Sequence, residues 1–475
     1  MKKAILITGL LAFLGLAKAQ FFPGLQVDNY GGINSQLLQP AEIAGSVIKL
    51  QISLGGLTYH HQGDMQGFNG TNGGRVEGKM LRMQPATLGQ RKDLTYHINP
   101  QGYTIQTQQS ISGPALSLSL RGGWGVGLHT RLRSFHEVEN LPMDIFAALG
   151  QTGDSIVSNQ RTDANNLRLK SLMFGEIGFS IGGVLLESPT HALKFGFRYK
   201  MLLGANGLYF QANNYEYEFA PNGNLRLYEI DALYGHSSRY YDGADSWTQD
   251  LGISRGWGGD LGFVYEYRPH AVRHSTGLWE EAKLREDETS YLLKVGLSIL
   301  DMGSIQFMRS PNSEDFSRNA ILPLVVDSLF PRPLSEIDTL ISTVFDLDGG
   351  GSNMRMSLPS YVSLQLDYRL AQRIYLNALA LMGPSSNSSV TPVGISMPSR
   401  YALTPRYEGK RFMLALPVSL LRGPTGSLTQ AGVGLRLGPF SVASNNLFSA
   451  FANQNGLESL EAMMSVQFNL HKNKP

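Results

Sequence analysis

The chain has 475 residues, among them 53 glycines, 20 tyrosines and no cysteine, and only 16% are charged. Its 40 basic and 38 acidic residues leave a net charge of +2, which implies no nucleic-acid surface. Without cysteine there are no disulfides, no lipid-anchored N-terminal cysteine and no thiolate metal site.

Low charge with abundant glycine and aromatics fits membrane strands with aromatic belts, although a soluble β-sandwich shares such a composition. Residues 1–19 have the plan of an export leader. Lys2 and Lys3 give a positive start, 4–16 an apolar run, and Ala17-Lys18-Ala19 a small-x-small cleavage site before Gln20. Nothing later approaches the ~18 apolar residues of a membrane-crossing helix. An exported chain that enters a membrane must then do so as a barrel.

Residues 20–46 are not strand-like. Pro40 followed by Ala41, Glu42, Ile43 and Ala44 predicts one short helical turn. The segment is too short for a domain, and it reads either as a plug inside the barrel or as a periplasmic tail. Gln39, Pro40 and Glu42 are its plug candidates.

From Val47 on, the period changes to two. About fourteen alternating runs follow, at 48–60, 114–121, 123–134, 172–182, 192–204, 255–267, 291–304, 361–369, 373–382, 397–406, 410–421, 429–438, 440–447 and 462–470. In 255–267, Trp257, Leu261, Phe263, Tyr265 and Tyr267 alternate with Asp260, Gly262, Val264 and Glu266. Apolar side chains on one face and small or polar ones on the other suit a strand with lipid outside and a lumen inside. Gaps after odd-numbered runs are mostly long and those after even-numbered runs mostly short, with 268–290 the exception. Outer-membrane barrels sort their outer loops and periplasmic turns in this way.

The reading is an all-β transmembrane antiparallel β-barrel of about fourteen strands, spanning 47–475. A short N-terminal plug segment precedes it, and its extracellular loops are long. The lumen-facing polar candidates are Arg198, Lys200, Asp260, Glu266, Arg268, Lys294, Asp367, Arg369 and Arg436. Their mixed signs favour pairing across the interior over an open charged path. Asp301 interrupts the apolar face of its strand and marks its end or a bulge.

Several stretches recur as families do: G-W-G-G-D-L-G-F-V-Y-E-Y-R-P at 256–269, K-V-G-L-S-I-L-D-M-G-S-I at 294–305, L-P-S-Y-V-S-L-Q-L-D-Y-R-L at 358–370, L-T-P-R-Y-E at 403–408 and G-P-F-S-V-A-S-N-N-L-F at 438–448. Together they resemble an outer-membrane barrel family of unknown function from Bacteroidota-type bacteria, over essentially the whole mature chain. More distantly, Q-P-A-E-I-A at 39–44 is similar to the N-P-A-x-x-A element of FadL- and PorV-like barrels, with Gln39 in place of Asn and Glu42 inside the element. There the element belongs to a hatch ahead of fourteen strands.

Catalytic signatures are absent: no G-x-S-x-G elbow, no H-E-x-x-H and no Walker loop. His136-Glu137-Val138-Glu139 lacks the second histidine of a zinc helix and reads as a solvated loop. Asp346-Leu347-Asp348-Gly349 is half of a calcium loop without its distal carboxylate, and reads as a glycine-rich outer loop. No enzyme, metal or cofactor is expected. Ahead of that loop, Leu334, Ile337, Leu340, Ile341, Val344 and Phe345 have helical spacing. The long 205–254 connection is rich in aromatics. Tyr215, Tyr217, Tyr240, Tyr241 and Trp247 serve either as contacts for a ligand or partner, or as the loop's own packing.

Two functions remain. One is a FadL-like passive transporter or channel for small apolar molecules, set in outer-membrane lipid. The other is a structural or adaptor barrel, PorV-like, that docks an outer-membrane or surface protein.

Overall fold

The computed structural model describes residues 21–63, 103–142, 145, 161–219, 225–237, 254–269, 271–273, 279–281, 291–311, 313–324, 334–349, 351–383, 393–423, 426–452 and 459–471. The leader at 1–19 lies outside them.

The alternating runs pair into a closed antiparallel barrel of 14 strands. In chain order these are β1 (Ile48–Gly63), β2 (Tyr103–Ser119), β3 (Gly125–Leu141), β4 (Thr162–Glu187) and β5 (His191–Phe219). Three interrupted strands follow: β6 (Leu225–His236, then Ser254–Tyr267), β7 (Leu293–Met308, then Asp315–Leu324) and β8 (Asp346–Gly349, Asn353–Ser357 and Tyr361–Ala371). The circuit continues with β9 (Ile374–Met382), β10 (Ser399–Glu408), β11 (Phe412–Ala415 and Val418–Gly423) and β12 (Gly426–Ala431 and Val433–Leu437). It ends with β13 (Phe440–Ser444) and β14 (Ser459–His471). The last strand pairs with the first, Ile52 opposite Phe468. Closure removes both sheet edges, so within the bilayer each backbone group can find a partner on a neighbouring strand.

Leu54, Phe179, Trp257, Leu364, Val418 and Phe468, spread around the circuit, are all exposed on the outside, Leu54 by 61%. Arg198, Lys200, Asp260, Asp367 and Arg436 are buried inside. Apolar residues outside and charges inside reverse the order of a water-soluble domain; lipid is the solvent that makes it stable. The chain is an outer-membrane β-barrel.

Residues 21–46 lie within the barrel. They form α1 (Pro23–Gln26), α2 (Ile33–Leu38) and a 3-10 turn, Pro40–Ile43, begun by Pro40 and capped by the Gln39 side chain, which accepts from Ala41 N at 3.3 Å. Gln467 and Asn469 of β14 donate to Gly31 O (2.8 Å) and Tyr30 O (3.0 Å), while Ser298 of β7 donates to Leu38 O (3.0 Å). The segment is thus held from opposite walls.

Several strands run on well past their alternating runs. β4 has 26 residues and β5 has 29, where ~10 suffice to cross a bilayer. Much of the predicted loop 205–254 is therefore sheet, the upper halves of β5 and β6 being paired from Leu208 opposite His236 to Phe219 opposite Leu225. The His136–Glu139 stretch is likewise not a loop but part of β3, opposite Ser171 to Arg168 of β4. The Asp346–Gly349 stretch is a strand beside Asp315–Ser317. α3 (Leu334–Val344) forms where the spacing predicts a helix, and its Ile341 packs in a cluster with Tyr215, Tyr217, Ile230 and Phe316.

Candidate functional site

The seat of the inner segment is made of glycine. Gly125, Gly182, Gly196 and Gly262 stand directly opposite one another on β3 to β6, and Ser298 and Ser363 continue the row on β7 and β8. The turn at Gln39–Ile43 lies on this row. A Cβ on Gly196 would meet the Pro40 carbonyl at 2.3 Å, one on Gly125 the Ile43 carbonyl at 2.3 Å, and one on Gly262 the Gln39 Oε1 at 2.0 Å. Two of the three contacts are to backbone, which cannot swing aside, so only glycine lets the wall and the segment come this close. Gln39 Nε2 also donates to Phe263 O at 3.3 Å.

Beside the seat, charges pair across the lumen. Arg198 and Lys200 on β5 hold Asp260 on β6, at 2.8 and 2.6 Å, and Arg198 also donates to Gln36 O of the inner segment (2.7 Å). Lys200 also contacts Asp301, which Arg133 of β3 grips through both oxygens at 2.8 and 2.7 Å. Asp301 sits at φ +56°, in a bulge where the β6–β7 register shifts; the bulge turns its carboxylate inward and the strand continues. Lower down, Glu266 pairs with Lys194 and Arg268, and Arg268 reaches Glu187 at 3.2 Å. Asp367 is held by Arg406 at 2.6 and 2.7 Å, whereas Arg369 is half-buried. Two ion pairs tie the segment itself to the wall: Glu42 to Lys294 at 2.9 Å, and Asp28 to Arg436.

Within the apolar band the ladder between β1 and β2 is interrupted. The β1–β2 ladder passes from Ser53 opposite Ala115 to Gly56 opposite Ser112, so Leu54-Gly55 and Gly113-Pro114 form no rungs with each other, although Gly55 pairs with Val466 of β14. Proline has no N–H to give, and both neighbouring ladders shift register here. Behind these residues lie Ile33 and Leu37 of the inner segment and a cavity of about 10 Å³.

A second cavity of about 20 Å³, room for one or two waters, is lined by Phe21, His60, Gln108, Tyr361, Leu381, Pro398, Arg400 and Glu461. Arg400 holds Glu461 through both carboxylate oxygens at 2.7 and 2.8 Å, and His60 Nδ1 lies 3.1 Å from Glu461. Glu461 is on β14 where the short β13 no longer runs beside it. There the Asn446 side chain replaces a strand, accepting from Glu461 N at 3.1 Å and donating to Ser459 O.

A family model described as "Family of unknown function (DUF5723)" matches residues 83–445. The chain belongs to this family. No curated protein matches the sequence. Among solved structures, a Pseudomonas aeruginosa FadL homologue aligns with 96% of this chain and 97% of its own, at 11% identity and a TM-score of 0.40. A TodX deltaS2S3 mutant, titled a monoaromatic hydrocarbon channel, aligns over 97% and 98%, at 11% identity and 0.43. The Pseudomonas putida toluene transporter TodX aligns over 95% of each chain, at 9% identity and 0.31. Likenesses this distant carry no argument about cargo, and the barrel of this DUF5723 member rests on its own strand pairing.

The aromatic candidates divide. Tyr215 and Tyr217 are buried against the sheet and α3, so they pack the extension and offer no contact surface. Tyr240, Tyr241 and Trp247 lie outside the described residues. The residues that sequence reasoning missed are Arg133, Glu176 of β4 (which accepts from Arg133 at 3.1 Å), Arg400, Arg406 and Glu461, all on the inward face of their strands, and Asp28 and His60. For the strand residues the signal was the parity of the alternating runs; for Asp28, outside any strand, there was none.

Proposed function

We propose that this family member is a passive transporter for small apolar molecules, with residues 21–46 as its removable hatch. One observation carries the reading: in the lipid-facing band the β1–β2 ladder skips two rungs, and Ile33 and Leu37 of the inner segment lie behind that break. If the segment shifts, the lumen communicates with this window. The charges do not oppose apolar cargo, because they neutralise one another pairwise. No catalytic role is proposed.

The adaptor reading draws on a different observation. The two cavities described above are no larger than about 20 Å³, and β4 and β5 run well beyond the bilayer as a platform. The two readings separate in planar bilayers. Gly196→Leu puts a side chain where the Pro40 backbone lies, and so unseats the segment while leaving the wall's pairing intact. Transport predicts a silent wild type and steady conductance from Gly196→Leu and from a chain lacking 20–46. Silence from both variants, inserted as heat-modifiable barrels, would sink the transport reading and leave the adaptor.

A further inference from the structure

We propose that the chamber beside Phe21 binds a small neutral molecule bearing one hydroxyl on an apolar body, with the hydroxyl at His60 Nε2. The proposal rests on the transport reading and deepens it by naming the chemistry of what the barrel selects.

The argument begins with an incomplete hydrogen bond. His60 is 3% exposed, its Nδ1 is engaged by Glu461, and its Nε2 is buried with no partner. A buried polar atom left without a partner is unfavourable, and its natural completion is a group supplied from outside the chain. The His60 ring lines the chamber.

The identity of the missing group follows from its neighbours. Glu461 holds Nδ1 in the protonated form, so Nε2 accepts when the ring is neutral and donates when it is charged. A hydroxyl satisfies either state because it both donates and accepts. A hydrocarbon satisfies neither. A carboxylate would enter a buried site where Glu461 already occupies both Arg400 and His60, adding a like charge with no further cation among the described lining residues to meet it. Gln430 and Ser419 take the other Arg400 nitrogen, at 3.1 and 3.2 Å.

Apart from Gln108, whose amide donates to the Met397 sulfur at 3.0 Å, the rest of the lining offers mainly ring and hydrocarbon surface to an apolar body. Phe21 meets Tyr361 edge to face at 5.0 Å between ring centres, with Leu381 and Pro398 beside them. At about 20 Å³ the chamber is closed down onto water-sized space. Phe21 is partly buried against the core and lines the chamber, so shortening its side chain enlarges the space.

Titration calorimetry on the detergent-solubilised full chain with phenol, toluene and benzoate tests this. Phenol should bind at least about tenfold more tightly than toluene, as sites built around a ligand hydroxyl discriminate, and benzoate should show no heat. His60→Leu should bring phenol down to toluene. Phe21→Ala leaves the polar group in place, and should strengthen phenol binding and keep the preference. Equal binding of phenol and toluene, benzoate binding above phenol, or no binding of any probe would overturn the proposal, the last leaving water as the occupant. Permeation of the same probes into proteoliposomes is read separately. A His60-dependent preference without permeation keeps the subsite and removes transport; permeation without preference does the reverse.

Discussion

The lower and upper halves of β5 are one strand in two solvents. Below, Phe197, Tyr199 and Met201 face outward while Arg198 and Lys200 are buried inside. Above, Tyr215 and Tyr217 are buried inside and Glu216 and Glu218 lie on the other face. Odd positions change from outside to inside along a strand whose register is irregular near Gly204 against β4 and near Ala212 against β6. The difference teaches that what lies outside the wall decides which face is apolar. Lipid draws hydrocarbon outward and leaves polar groups to the lumen, whereas beyond the bilayer water drives the rings inward onto α3.

Three experiments press on this contrast. The largest effect belongs to the lipid-embedded half, whose interior is held by charge. Asp301→Ala leaves Arg133 and Lys200 buried without that carboxylate, and should cost about 3–5 kcal/mol, read as a lower urea midpoint for the heat-modifiable barrel. Tyr217→Ala removes a ring from the upper half, where stability comes from apolar packing. Its cost is ~3 kcal/mol, confined to the extension: hydrogen exchange should rise in the upper parts of β4 to β7 while the lower halves keep their protection. A uniform change would show that the halves are not separate.

The smallest effect is a pH dependence. Glu139, above the band on β3, has its carboxyl pushed up to about 7, first by burial and then by neighbouring Glu137. The ordinary value is lower, so the folded extension favours the protonated acid. The resulting stability is complete below the ordinary carboxyl range and is lost as pH rises through about 7. The extension should resist urea better at pH 5 than at pH 8, by order 1–3 kcal/mol, and Glu139→Gln should flatten that slope.

The same contrast sets what the sequence discloses. In the band, lipid enforces alternation, so the strands and inward residues such as Arg198, Asp260 and Lys294 are legible by parity. In the extension, 104–110 reads T-I-Q-T-Q-Q-S, polar on both faces, and no period announces β2 there. The inner segment is legible as a non-strand, but its seat is not. Gly125, Gly182, Gly196 and Gly262 look like ordinary strand glycines until the register sets them in one row. The His60 chamber depends on β1, β2, β8 to β10, β14 and Phe21 meeting, which no local pattern encodes.

The hydrogen bonds from Gln467 and Asn469 to the inner segment bear on how such a protein is put together. The residues they hold, Gly31 and Tyr30, precede every strand in the chain, while the donors lie on the last one. The final strand therefore both completes the circle against β1 and holds the segment. A nascent chain whose start has not yet found its glycine row presents β14 with orphaned partners. Closure of the cylinder and retention of its contents thus share one strand.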